Sequence, residues 1–217
     1  MPLKRLRRDF PSLKPCSPVE FSDPTATPEL QISSYTHRRH PPFSATEIIP
    51  RLFLGSSCDA QDPTILHRLR VGRILNVARE CPASEEIRKQ FVVLHIPLDD
   101  RSDAPIAEHF SQAVEFIREG LEERVGVLVH CRKGLSRSAT MVLAFIITHG
   151  AAYLPENCVA ESKAGVPYDE ALDWVKQRRE KICLNFGFDS ALREYSNRVV
   201  ICQAEPEESI EPLYSPS

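Results

Sequence analysis

The 217-residue sequence has no apolar run long enough to cross a bilayer. Its longest, Met141 to Ile147, falls far short of the ~20 residues a spanning helix needs. No apolar segment follows the first charges, so neither a secretory signal nor a membrane anchor is expected. A basic surplus is lacking too: 27 Lys and Arg against 30 Asp and Glu leave a formal charge of −3, and general nucleic-acid binding needs the opposite balance. The seven cysteines, at 16, 58, 81, 131, 158, 183 and 202, contain no CxxC pair. An odd number so spaced fits neither a disulfide framework nor a zinc site, which points to a reducing compartment, cytoplasm or nucleus. Glycine is scarce, with eight residues and none before Gly55, whereas nine of the 18 prolines lie in residues 1–50.

That last asymmetry divides the chain. Residues 1–45 read as an extended, poorly ordered basic arm, and residues 203–217, with four glutamates and no basic residue, as a loose acidic tail. Between them, residues 46–202 alternate strand and helix signals. Leu52–Leu54, Ile74–Ala78, Phe91–Ile96 and Val125–His130 are short apolar runs of the kind that strands buried on both faces adopt. Asp62-Pro63 opens a helix to about Arg70, and Asp103 with Pro105 opens another in which Ile106, Phe110, Val114, Ile117 and Leu121 share a face. Ser138–His149 is apolar nearly all round and ends at Gly150, as a buried central helix would. Amphipathic helices follow over about 168–181 and 188–200. The expected class is α/β, a central mixed sheet with helices on both faces.

The specific chemistry lies in His130-Cys131-Arg132-Lys133-Gly134-Leu135-Ser136-Arg137-Ser138, which leaves a buried strand and enters a buried helix. There successive backbone N–H groups can turn inward around an anion, and the helix dipole adds positive charge, so the loop should bind phosphate. The same field stabilises a thiolate, which would make Cys131 a nucleophile near neutral pH. Arg137 offers phosphoryl oxygens two parallel donors, and Gly134 suits a position needing positive φ or close approach to the ligand.

HCxxGxxRS resembles the signature of the cysteine-dependent protein tyrosine phosphatases. Pro50-Arg51-Leu52-Phe53-Leu54-Gly55, Ile74-Leu75-Asn76-Val77-Ala78, Val127-Leu128-Val129 and Asn185-Phe186-Gly187-Phe188 narrow the resemblance to the dual-specificity branch, most like small fungal MAP kinase phosphatases. It covers about residues 47–200 and implies the protein tyrosine phosphatase-like fold. It also implies that Asp100 of Pro97-Leu98-Asp99-Asp100, rather than Asp99, is the general acid, that Ser138 donates to the departing thiolate, and that His130 shapes the surroundings of the cysteine. No metal or cofactor is implied.

Blander readings stand beside these. Cys131 could be a structural thiol, His130 half of a metal pair, Asp100 part of a solvated turn or helix cap, and Arg132 and Lys133 can face either substrate or solvent. The arm residues Lys4, Arg5, Arg7, Arg8 and Leu13 resemble a docking peptide for MAP kinases, although such clusters also serve nuclear import or are only solvated charge. Ser17-Pro18, Thr27-Pro28 and Ser215-Pro216 fit proline-directed phosphorylation. Arg137 and Glu170 lie 33 residues apart, more than the family pattern needs, so an insertion of about 151–167 is expected to be an exposed excursion. The leading expectation is a dual-specificity phosphatase that dephosphorylates a phosphoprotein, a MAP kinase, with no nucleic-acid or membrane partner. The alternatives are a phosphoprotein-binding pseudophosphatase or scaffold, and a phosphoinositide or RNA 5′-phosphatase.

Overall fold

The computed structural model describes residues 44–155 and 165–204. The docking residues of the arm, the proline-directed sites and the acidic tail from residue 205 onward lie outside the described residues.

In chain order the elements are β1 (Thr46–Ile49), β2 (Leu52–Ser56), α1 (Pro63–Arg68), β3 (Val71–Asn76), α2 (Glu85–Gln90), β4 (Val92–His95), α3 (Phe110–Glu122), β5 (Gly126–Cys131), α4 (Arg137–His149), α5 (Tyr168–Arg178) and α6 (Phe186–Ala204). The strands form one sheet in the order β1-β2-β5-β3-β4, with β1 antiparallel to β2 and the other pairs parallel. This is the mixed sheet the sequence predicts.

Period-two alternation divides the core. Leu52, Leu54, Leu75, Val127 and Val129 face a large cluster made by α3, α4, α5 and α6. Phe53, Ile74 and Leu128 face a smaller cluster holding Leu66 of α1, Ile87 of α2, and Phe91. Helices therefore cover both faces. Because β5 pairs with β2 on one side and β3 on the other, it is the central strand, and all six of its residues are buried. Every residue of α4 from Arg137 to Ile147 is buried as well, in keeping with its all-round apolar sequence.

Several local expectations are corrected. Asp62 does cap α1, accepting the Ile65 N–H at 3.1 Å ahead of Pro63, but Asp103 caps nothing. Its carboxylate turns to Arg101, and the chain enters α3 through a 3-10 turn at Ile106–His109. Strand β1 and helix α2 carry too little periodicity to be read beforehand: β1 is four residues long, and α2 is six with one buried side chain, Ile87, capped by Ser84. Helix α4 ends as expected, with Gly150 at its C-cap. Gly150 has φ −56°, and the chain runs on into a 3-10 turn. Ser44, ahead of β1, donates its backbone N–H to Asp59 at 2.6 Å, and α6 continues to Ala204.

Ala151, Ala152 and Pro155 of the expected excursion are exposed, but two of its other residues are anchored. Leu154 and Val166 join the large core cluster, and Val166 donates its N–H to Ile147 at 2.9 Å. Burial of two aliphatic side chains explains the anchoring. The stretch between them, 156–164, lies outside the described residues.

Candidate active site

Cys131 is the last residue of β5, and Arg137 is the first of α4. The intervening loop thus sits at the carboxyl edge of the central parallel strand, the usual place for a ligand in such sheets. Ser136 holds the N-cap position of α4 yet makes no cap bond, because its hydroxyl donates to Asp100 Oδ1 at 2.7 Å. The first amides of α4 therefore receive no cap from Ser136 and point toward the loop, where an anion can accept from them.

The thiol is buried and surrounded by donors. Gly134 N–H lies 3.3 Å from Cys131 Sγ, and the Ser138 hydroxyl donates to it at 3.2 Å. Burial alone pushes the Cys131 pKa up. The hydroxyl and amide of Ser138 and the amides of Gly134 and Leu135 outweigh it, so the thiol lies below its ordinary range. Gly134 has φ +70°, as a glycine allows, and a Cβ there would sit 2.4 Å from the Gly55 carbonyl oxygen, a protein contact that also excludes a side chain. Arg179 of the segment after α5 braces the same turn, donating from Nε to the Gly134 carbonyl at 3.0 Å.

Arg137 is fixed from behind. Its two Nη atoms donate to Glu80 at 2.7 and 2.6 Å, and Nη1 also donates to the Leu98 carbonyl at 2.8 Å. The guanidinium holds the Glu80 carboxyl down at about 2. Arg137 Nε is buried with no hydrogen-bond partner, and its nearest anionic group, Asp100 Oδ2, stands 3.8 Å away. A buried guanidinium N–H that makes no hydrogen bond within the protein can donate to an anionic oxygen.

The two neighbouring acids separate clearly. Asp99 pairs with exposed Arg79 at 3.0 Å, while Asp100 turns inward to Ser136 and to Asn185, whose Nδ2 donates at 3.2 Å. Glu80, Asp99, Asp100, Cys131, Arg132, Lys133, Leu135, Ser136, Arg137 and Cys183 line one pocket of about 520 Å³. Arg132 and Lys133 thus stand at its wall, exposed rather than buried. His130 is buried behind the loop, its Nδ1 3.4 Å from the Cys131 carbonyl, and burial lowers its pKa to about 4. It is a neutral packing residue at physiological pH. Among the described residues no group of three His, Cys, Asp or Glu could hold a metal ion, and no helix is long and apolar enough to cross a membrane.

Sequence reading alone assigns no part to Glu80, Asn185, Arg179 or Cys183. Glu80 occupies a polar loop and carries no periodic signal, and Asn185 stands within a quoted motif without a role.

Comparison with known proteins finds likeness in sequence and in fold. The family profile "Dual specificity phosphatase, catalytic domain" matches residues 52–159. Human dual specificity protein phosphatase 4 is 34% identical over 194 residues, which are 88% of this chain and 45% of that protein. The Caenorhabditis elegans tyrosine-protein phosphatase vhp-1 is 31% identical over 155 residues, 71% of this chain and 22% of that one. A mouse dual specificity phosphatase solved in complex with zinc tungstate superposes with TM-score 0.65 at 23% identity, covering 81% of this chain and all of that one. The chain spans less than half the length of the curated relatives it matches. The catalytic-domain match and the shared sequence place the chain in the dual-specificity phosphatase family.

Proposed function

We propose that this chain hydrolyses phosphotyrosine and phosphothreonine or phosphoserine in proteins through a phosphocysteine intermediate, and that an activated MAP kinase is its substrate. The observation that carries the reading is the unpaired Nε of Arg137 across from a thiol held by Gly134 and Ser138. A phosphoryl dianion supplies the missing acceptors, and the loop amides take its remaining oxygens.

In the first step Cys131 Sγ attacks phosphorus and the ester P–O bond breaks, while Asp100 gives its proton to the departing oxygen. In the second, the Asp100 carboxylate takes a proton from water as that water attacks phosphorus. The S–P bond then breaks, and the Ser138 hydroxyl at 3.2 Å stabilises the sulfur that leaves as thiolate. Glu80 keeps the guanidinium in the plane that faces the dianion.

A protein substrate suits this pocket better than a polyphosphorylated lipid headgroup or an RNA 5′ end. Glu80, Asp99 and Asp100 balance Arg132, Lys133 and Arg137 at its walls, so no cationic excess is available for several phosphates at once. A non-hydrolysing scaffold would have no use for an acid held at hydrogen-bond distance from the loop. Turnover of a doubly phosphorylated activation-loop peptide, with Cys131→Ser as control, tests the proposal. Phosphate release from both residues, abolished in the variant, is expected. Tight binding without release, or undiminished turnover by the variant, overturns it.

A further inference from the structure

Asn185 precedes α6 and uses both ends of its side-chain amide. Oδ1 accepts the Phe188 N–H at 3.0 Å, which caps the helix, and Nδ2 donates to Asp100 Oδ1 at 3.2 Å. The opposite amide orientation would set oxygen against carboxylate and NH₂ against N–H, so the two neighbours together fix which end is which. The contact is tight at Gly187, in the first turn. A Cβ at Gly187 would lie 1.8 Å from the Ser102 carbonyl oxygen, so the start of α6 is pressed against the loop that carries Asp100.

Asp100 Oδ1 therefore takes two donors from different elements, Ser136 at the entry to α4 and Asn185 at the entry to α6. Oδ2 receives no hydrogen bond from them and stands 3.8 Å from Arg137 Nε, on the side where the phosphoryl group would lie. Resting on the phosphatase reading above, we propose that Asn185 is a positioning residue. It locks Oδ1 as the anchored oxygen and leaves Oδ2 as the one that carries and delivers the proton while S–P forms and P–O breaks. Aspartate at this position would still cap α6 but would face Asp100 with a second carboxylate, so the site requires the amide.

The test uses two aryl esters of similar shape in the full chain. p-Nitrophenyl phosphate releases an anion stable enough to leave without a proton, whereas phenyl phosphate needs one. General-acid catalysis contributes about 10²–10⁴-fold, so the ratio of kcat between the two esters is expected to rise about tenfold or more in Asn185→Asp, with KM little moved. In an Asp100→Asn background the same substitution should cost phenyl phosphate turnover nothing further. Asn185→Ala, which loses both bonds, should raise the ratio too. Equal losses on both esters, or an additive loss in the Asp100→Asn background, would make Asn185 merely structural and overturn the proposal. Wild-type protein that turns over neither ester, or Cys131→Ser that turns over both, sinks the phosphatase reading itself and this proposal with it.

Discussion

Arg137 lays both of its Nη nitrogens on the carboxylate of Glu80, at 2.7 and 2.6 Å, and so presents Nε, unpaired, to the pocket. A planar guanidinium gripped on one edge has its other edge aimed, which neither lysine nor a free arginine achieves. Removing the clamp in Glu80→Ala should leave the charge in place but lose the aim. Misplacement of a catalytic group costs about 10²-fold, so kcat/KM should fall between ten- and a hundredfold. Competitive inhibition by inorganic phosphate should weaken in parallel. Steady-state kinetics measure both, and unchanged phosphate inhibition in the variant would show that Glu80 does not aim the guanidinium.

Ser138 stands 3.2 Å from the sulfur and is the strongest of the influences that lower the Cys131 pKa against the opposing push of burial. Ser138→Ala should therefore move the thiol pKa upward, shifting the rate of alkylation by a neutral haloacetamide toward higher pH. Breakdown of the phosphocysteine should slow more than its formation, because the same hydroxyl stabilises the leaving thiolate. A burst of phenol release followed by a slower steady rate is expected from rapid mixing. An alkylation profile that coincides with the wild type would refute the assignment. The low pKa also makes Cys131 a target for peroxide, so inactivation reversible by added thiol is expected.

Much of this site could be read from nine consecutive residues, since a thiol, a turn glycine and an arginine between a buried strand and a buried helix are a local pattern. What could not be read acts across the chain. Glu80 meets Arg137 over a separation of 57 residues, and Asn185 meets Asp100 over 85. A lone acid or amide in a polar loop has the same pattern whether it faces solvent or a partner. The fold shows the same division. The largely apolar runs β5 and α4 are plain in the sequence, whereas β1 and α2 gain their stability from tertiary contacts and are not. Leu154 and Val166 are a further case: neither stands in a periodic apolar run, and only the packed core shows them as anchors.

Gly134 couples the loop's conformation to its contacts. Gly134→Ala must place a side chain at φ +70°, which costs about 1–2 kcal/mol, and must also push its Cβ away from the Gly55 carbonyl 2.4 Å distant. Because β2 carries Gly55 in parallel register with β5, relief requires the loop to move rather than the strand. The variant should lose most activity while its thermal midpoint drops by only a few degrees, as a loop shift rather than core damage would produce. Full activity in Gly134→Ala would mean the turn tolerates a second conformation.

His130 links the site to acid stability. Burial holds its folded pKa at about 4 against 6.5 for the free side chain. Above 6.5 neither state binds the proton, and below 4 both do. Between those values only the unfolded chain is protonated, so stability is complete above 6.5 and declines as pH falls toward 4. His130→Asn removes the titrating ring at similar polarity. Although it is expected to be less stable than the wild type near neutral pH, its denaturation free energy should fall less steeply on acidification, so the two proteins converge toward pH 4. Urea titrations across that interval measure the slopes directly. Parallel curves would show that the imidazole is solvated or already charged in the folded state, and that the floor of the catalytic loop is wetter than its packing requires.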